Sequence, residues 1–97
     1  MSLKIEKKSA ECLALAGRLD TMTAPELEAE ISALLPGVES LTLDMEKLDY
    51  ISSAGLRVIL KTQKTLEKKS GLKLIHVPEA VKEVFDITGF SDFLTIE

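Results

Sequence analysis

Residues 41–60 read LTLDMEKLDYISSAGLRVIL, and the hydrophobic period changes halfway along this stretch. The first part alternates apolar and polar side chains, as a half-buried strand does, because successive strand residues point to opposite faces. The second part has helical spacing, and its apolar stripe consists of Leu56, Ile59, Leu60 and Leu66. We therefore predict a strand over Leu41–Met45 and a helix from Ser53 to about Lys69.

Short apolar runs on both sides of this unit indicate further strands. Upstream, Leu3–Lys7 and Cys12–Gly17 outline a β-hairpin. Downstream, Leu72–Val77 is predicted to be a strand and Phe93–Ile96 a last short one. Glu79–Thr88 has helical spacing and is followed by Gly89, so a helix is predicted between these two strands.

One more helix is predicted between the hairpin and the central strand. Thr23 can cap it, Pro25 suits its first turn, and Glu26 completes a capping box. Pro36-Gly37 ends it. A hairpin followed by strand–helix units predicts an α/β fold. We expect one domain over residues 1–97, with a mixed sheet of four to five strands and three to four helices.

Composition argues against several classes of function. The 97-residue chain has a formal net charge of −4, 4% aromatic residues and no Trp. Duplex binding relies on excess basic charge and single-strand binding on aromatic platforms, so no nucleic-acid partner is expected. No apolar run approaches the roughly 20 residues of a membrane span, and we expect a cytoplasmic protein without membrane contact. Cys12 and His76 are single in the chain, which rules out an internal disulfide; a His/Cys metal site is not expected, and no cofactor is predicted.

Two adjacent hydroxyls, Ser52 and Ser53, stand where the central helix is predicted to begin. The unpaired N–H groups of a helix N-terminus help to hold a phosphate, so Ser53 is a candidate phosphorylation site. The alternative is that Ser53 is only the N-cap and Ser52 a loop residue; from the residues alone this alternative is favoured. Asp20 follows the second strand and can lie near Ser53, or it can be a turn residue that binds its own backbone.

Catalytic motifs are absent from the sequence. It contains no phosphate-binding glycine loop and no Gly-x-Ser-x-Gly elbow. His76 lies among apolar residues at a strand end and is expected to be structural. The basic side chains at helical spacing are expected to form a solvated face; they are Arg57, Lys61, Lys64 and Lys68. We therefore predict that the chain is not an enzyme.

The segment Ile51-Ser52-Ser53-Ala54-Gly55-Leu56, together with Gly17-Arg18-Leu19-Asp20, resembles the STAS domain of bacterial anti-sigma factor antagonists. The resemblance extends over nearly the whole chain, including residues 81–89. The family pattern is approximately Asp-Ser-Ser/Thr-Gly-Leu, and its phospho-acceptor, two places before the Gly, falls on Ser53. Ser52 stands where many members have Asp, which leaves Ser52 as a competing acceptor.

The resemblance implies a switch. The unphosphorylated protein would bind an anti-sigma factor that is also a serine kinase, which frees the sigma factor. Phosphorylation of Ser53 would release the kinase, and a serine phosphatase would reset the protein. The implied partner-binding surface comprises Asp20, Thr21, Ser52, Ser53, Ala54, Gly55, Leu56 and Arg57.

Two other functions stay open at this point. One is a STAS scaffold without phosphorylation, serving as a subunit of a membrane transport or stress complex. The other is a small hydrolase or phosphotransferase that uses Ser53 with Asp20, against which the missing general base counts.

Overall fold

A five-stranded mixed sheet forms the centre of the computed structural model, which describes residues 3–97. Within those residues the chain forms five strands and three α-helices. In chain order they are β1 (Leu3–Ser9), β2 (Cys12–Leu19), α1 (Ala24–Leu34), β3 (Ser40–Ile51), α2 (Ser53–Leu66), β4 (Gly71–Ile75), α3 (Glu79–Thr88) and β5 (Thr95–Ile96). Short 3₁₀ turns follow α1 and α3, at Leu35–Gly37 and Phe90–Asp92.

The strands lie in the same order in the sheet as in the sequence. β1 and β2 are antiparallel, whereas β2, β3, β4 and β5 are mutually parallel neighbours. The α/β fold with a mixed sheet is therefore confirmed. Right-handed crossovers that advance in one direction place their helices on one face of the sheet, and the other face stays open.

The hydrophobic core lies between the sheet and these helices. On β3, Leu41, Leu43 and Met45 are fully buried beneath the helices, while Asp44 between them is only half-buried on the opposite face. The largest side chain in the core is Phe85 of α3. The buried residues of α2 are Gly55, Leu56, Val58, Ile59, Thr62 and Leu66. Leu60, predicted to be in this stripe, is half-buried instead.

β3 is longer than predicted and ends at Ile51 rather than Met45. Its register against β2 shifts twice, between Ala14 and Ala16 and between Gly17 and Arg18. Each shift is a β-bulge that inserts one extra residue in β3, so the alternation of buried and exposed side chains breaks while the pairing continues. The connection to α2 is therefore a single residue, Ser52. α2 itself ends at Leu66, three residues earlier than predicted.

The predicted capping box at Thr23 does not form. No side-chain hydrogen bond caps α1 from Thr23, whose buried hydroxyl instead donates to the Arg18 carbonyl at 2.8 Å. His76, expected to be structural because of its apolar neighbours in the sequence, does not pack among them. His76 is exposed, adopts a positive φ of 54° and lies beside Asp44.

Candidate functional site

The helix α2 begins with two serines that have different structural roles. Ser52 is the N-cap, with an extended backbone, and its hydroxyl accepts the Gly55 N–H at 3.4 Å. Ser53 is the first residue of the helix, and its side chain is exposed. Within residues 3–97 the Ser53 hydroxyl makes no hydrogen bond. The interpretation of Ser53 as the cap is therefore wrong: Ser52 performs that role, and the Ser53 hydroxyl is free.

A close contact joins the start of α2 to the end of β2. The Ser52 N–H donates to the Leu19 carbonyl at 2.9 Å. Gly55 packs so tightly that a Cβ there would lie 2.6 Å from Leu19 Cγ and 3.0 Å from Ile51 Cγ1. A Cβ at this position would force Leu19 to shift. The contact brings the loop after Leu19 next to the exposed serine.

That loop is held by the side chain of Asp20. Its Oδ1 accepts the N–H groups of Met22 at 3.0 Å and Thr23 at 3.1 Å. The Thr23 backbone N–H makes the largest contribution to lowering the pKa of Asp20, and the Thr23 hydroxyl, the Met22 N–H and the charge of Arg18 add to it against a smaller desolvation effect. Of the two alternatives for Asp20, the structure therefore shows the turn residue that binds its own backbone.

A cationic and aromatic pair borders the same loop and was missed in the sequence. The guanidinium carbon of Arg18 lies 4.1 Å above the centroid of the Tyr50 ring, and Arg18 Nε is 3.6 Å from Asp20 Oδ2. Arg18 and Tyr50 are register partners on β2 and β3. A bulge in β3 shifts the register just before this pair. The alternation of side chains in the sequence therefore does not predict that Arg18 and Tyr50 are neighbours. Tyr50 is 41% exposed and Met22 82% exposed, so both present apolar surface to solvent.

A groove of about 240 Å³ runs between α1 and α2 beside the serines. Thr21, Ala54 and Arg57, which belong to the predicted partner-binding surface, all line this groove. Further along the groove, Lys61 Nζ and Glu28 Oε2 form an ion pair at 2.7 Å. Gly55 and Leu56, also predicted to bind a partner, are buried. They support the position of the serines from inside the fold.

The chemistry available to the two serines is limited. In the described part of the chain, the only hydrogen bond of either hydroxyl is the one that Ser52 accepts from a backbone N–H. No His, Glu, Asp or Lys side chain of residues 3–97 contacts them by a hydrogen bond, so no general base is in place for a serine nucleophile. The unpaired N–H groups of a helix N-terminus favour a negatively charged group bound there, such as a phosphate.

The sequence model of the family described as "Mlab, STAS domain" matches residues 4–96. The chain belongs to the STAS domain family. Among curated relatives, it is 42% identical to BtrV of Bordetella bronchiseptica, a candidate anti-sigma factor antagonist, over 93% of this chain and 80% of that one. It is 34% identical to the anti-sigma-B factor antagonist of Bacillus subtilis, over 84% of this chain and 76% of that one.

Solved structures show the same STAS fold. The anti-sigma factor antagonist SpoIIAA in its unphosphorylated form is 22% identical and superposes with a TM-score of 0.77, covering 98% of this chain and 87% of that one. The phosphorylated form of Bacillus SpoIIAA is 21% identical, with a TM-score of 0.69 over 98% and 90% of the two chains. Among the residues described here, no helix is long and apolar enough to cross a membrane.

Proposed function

We propose that this STAS domain is an anti-sigma factor antagonist controlled by phosphorylation of Ser53. In its unphosphorylated form it binds an anti-sigma factor that is also a serine kinase, and phosphorylation of Ser53 ends that binding. The observation that carries the proposal is the division of roles at the start of α2, where Ser52 caps the helix and leaves the Ser53 hydroxyl exposed. The names of the relatives support the antagonist function.

The partner surface in this proposal surrounds Ser53. It combines the Asp20 loop, the α1–α2 groove and the exposed side chains of Met22 and Tyr50. A few large apolar side chains next to charged groups are typical of the energetic centre of a protein interface. Arg57 contributes a free charge, since it forms no ion pair within residues 3–97.

Phosphorylation would act on this surface by its charge. A phosphoryl group adds about −1.5 to −2 charges at pH 7 and three acceptor oxygens. The N–H groups at the start of α2 favour that charge within the domain, and Arg57, four residues after Ser53, lies on the same side of the helix. Within an interface, the phosphate must be desolvated, which opposes binding. The proposed switch therefore changes the surface and leaves the fold in place.

Two further elements complete the proposal. The kinase uses Mg-ATP as the phosphoryl donor, so this chain supplies only the acceptor hydroxyl. A serine phosphatase hydrolyses the phosphoserine and restores binding. Because the partners of a sigma-factor switch act on transcription, the proposal places the protein in the cytoplasm.

The test is phosphopeptide mapping of the protein from its own cells, together with identification of the proteins that co-purify with it. We expect phosphate on Ser53 and an ATP-binding, kinase-like partner enriched on the unphosphorylated form. Ser53→Ala should retain the partner without phosphate, and Ser53→Asp should lose it. Ser70→Asp is the matched control, because Ser70 is an exposed serine in the turn that follows α2, at the opposite end of that helix from Ser53.

Three results would contradict the proposal. Phosphate confined to Ser52 would move the switch to the capping serine. Absence of phosphate under every growth condition, with the same partners bound to the Ser53→Asp protein, would leave a constitutive scaffold. Turnover of an activated ester that disappears in Ser53→Ala would instead indicate an enzyme.

A further inference from the structure

Three potential metal ligands meet on the face of the sheet that the helices leave open. Asp44 and Glu46 lie two residues apart on β3, and His76 follows the end of β4. The register pairs Asp44 with Ile75, which brings the next residue, His76, beside the carboxylate. One ligand atom from each of the three side chains lies within 4.8 Å of the other two.

The hydrogen bonds of the cluster leave ligand capacity unused. Asp44 Oδ1 accepts the Glu46 N–H at 3.1 Å and lies 3.1 Å from His76 Nδ1. The second carboxylate oxygen of Asp44 makes no hydrogen bond in the described chain. No lysine within residues 3–97 forms an ion pair with Asp44 or Glu46. Lys4, Lys8 and Lys47 border the cavity beside the two carboxylates, but within the described residues none of them bridges Asp44 and Glu46 by an ion pair.

We propose that Asp44, Glu46 and His76 form a surface site for a divalent first-row transition metal ion such as Zn²⁺. An imidazole with two carboxylates suits Zn²⁺ and related ions, whereas Mg²⁺ and Ca²⁺ prefer oxygen ligands alone. The three protein ligands leave at least one coordination position for water or for a ligand from another molecule.

The geometry needs only a small contraction to close around an ion. Ligand atoms in tetrahedral zinc sites lie about 3.4 Å apart, which follows from bonds of roughly 2.1 Å. Asp44 is half-buried and accepts the Glu46 N–H, His76 Nδ1 already lies 3.1 Å from its carboxylate, and the Glu46 side chain is exposed. A shallow cavity next to Asp44 and Glu46 leaves space for the remaining water ligands.

The single His and the single Cys are too few ligands for a metal site, and only the carboxylates of Asp44 and Glu46 complete this one. Asp44 and His76 are 32 residues apart in the sequence, so their contact is visible only in the structure. The site lies on the opposite face of the sheet from the core beneath α2, and it includes none of the residues of the Ser53 surface. Its test is therefore independent of the proposed switch.

Calorimetric titration of the untagged chain with Zn²⁺ tests the proposal. We expect one ion per chain, with affinity reduced at least about tenfold by His76→Ala or Asp44→Asn, as loss of a ligand should cause. Asp49→Asn is the matched control, because Asp49 is an exposed carboxylate on the same strand outside the cluster. The Asp49→Asn chain should bind Zn²⁺ with the affinity of the parent chain.

The single histidine makes a second measurement unambiguous. Every histidine ring signal in an NMR spectrum belongs to His76, and we expect these signals to shift on addition of Zn²⁺ but not of Mg²⁺. Absence of binding, equal affinity of the His76→Ala and parent chains, or loss of binding in Cys12→Ser would each overturn the proposal. The last result would assign the ion to the free thiol on β2.

Discussion

The absence of a side chain at Gly55 allows the close contact with Leu19 that positions the Ser53 surface. A Cβ at this position would lie 2.6 Å from Leu19 Cγ, in the contact that joins β2 to α2. Gly55→Ala therefore overpacks the core, and we expect a loss of about 1–3 kcal/mol in the free energy of unfolding, measured by urea denaturation. Gly37→Ala is the control, because no atom lies within 4 Å of its Cβ position. Equal stability of the two variants would contradict the tight contact.

The carboxylate of Asp20 should make the loop beside Ser53 sensitive to acid. Its pKa is lowered in the fold, mainly because its carboxylate accepts the Thr23 N–H. Because this pKa is lowered, the ionised Asp20 carboxylate stabilises the fold at pH values above its unfolded-state pKa. That contribution is lost as the pH falls through the lower folded-state pKa. We expect the Asp20 carboxyl to titrate below 3.8 in a carbon-detected NMR titration.

Asp20→Asn provides the comparison for that titration. The amide keeps an acceptor oxygen but carries no charge, so the Met22 and Thr23 N–H signals should lose their response to acid in this range. A folded-state pKa at or above 3.8 would show that the two N–H contacts do not hold the carboxylate.

Ser52 and Ser53 show what residue identity alone could and could not decide. Both are good N-cap residues, and the position of the helix start depends on where β3 ends. The resemblance pointed to Ser53 as the acceptor from the Gly two places later, but only the backbone geometry assigns the cap to Ser52. Moving the start of α2 by one residue would exchange the roles of the two serines, and a sequence pattern does not locate a helix end to one residue.

The two serines should contribute differently to the stability of α2. Ser52→Ala removes the side-chain acceptor of the Gly55 N–H, and the loss of an N-cap costs about 0.5–2 kcal/mol. We expect the lower end of this range because the bond is long, at 3.4 Å. Ser53→Ala should be close to neutral, since its hydroxyl makes no bond within residues 3–97. Chemical denaturation of both variants measures the difference, and a larger loss from Ser53→Ala would reverse the assignment of the cap.

β3 is the element that the sequence predicted least well. The alternation that identifies a strand holds through Met45, and two bulges then disturb it while pairing with β2 continues to Ile51. Such bulges depend on contacts with the neighbouring strand, so the local sequence does not reveal them. They also create the pairing of Arg18 with Tyr50 beside the site. The helices were predicted more accurately because their apolar stripes and end signals are local.

The order of the strands explains where the two proposed sites lie. Three parallel crossovers in one direction place the helices on one face, and the ends of β2 and β3 bring the Asp20 loop to the start of α2. The opposite face keeps its polar side chains exposed, and there the register of β3 with β4 joins Asp44 to His76. From its succession of elements, the sequence offered the proximity of Asp20 to Ser53 as one of two alternatives. It did not reveal the contact between Asp44 and His76, which requires the register between strands.

The proposed switch predicts that negative charge at Ser53 changes binding without unfolding the molecule. An acidic side chain in the first turn of a helix interacts favourably with the N-terminal N–H groups, by about 0.3–1 kcal/mol. Ser53→Asp should therefore be as stable as the parent chain or slightly more stable in thermal denaturation, while it loses the kinase-like partner. Its amide NMR shifts should change only near the start of α2 and the Asp20 loop, which the Leu19–Ser52 contact connects.

Ser53→Asn is the matched variant for this prediction, because it has the same shape as Ser53→Asp without the charge. If charge in the interface causes release, Ser53→Asn should keep more of the partner than Ser53→Asp at equal stability. Equal loss of binding by both variants would attribute release to steric bulk. Widespread shift changes in Ser53→Asp, reaching β4 and α3, would instead show that the switch acts through the fold, because a surface mechanism leaves the core between sheet and helices unchanged.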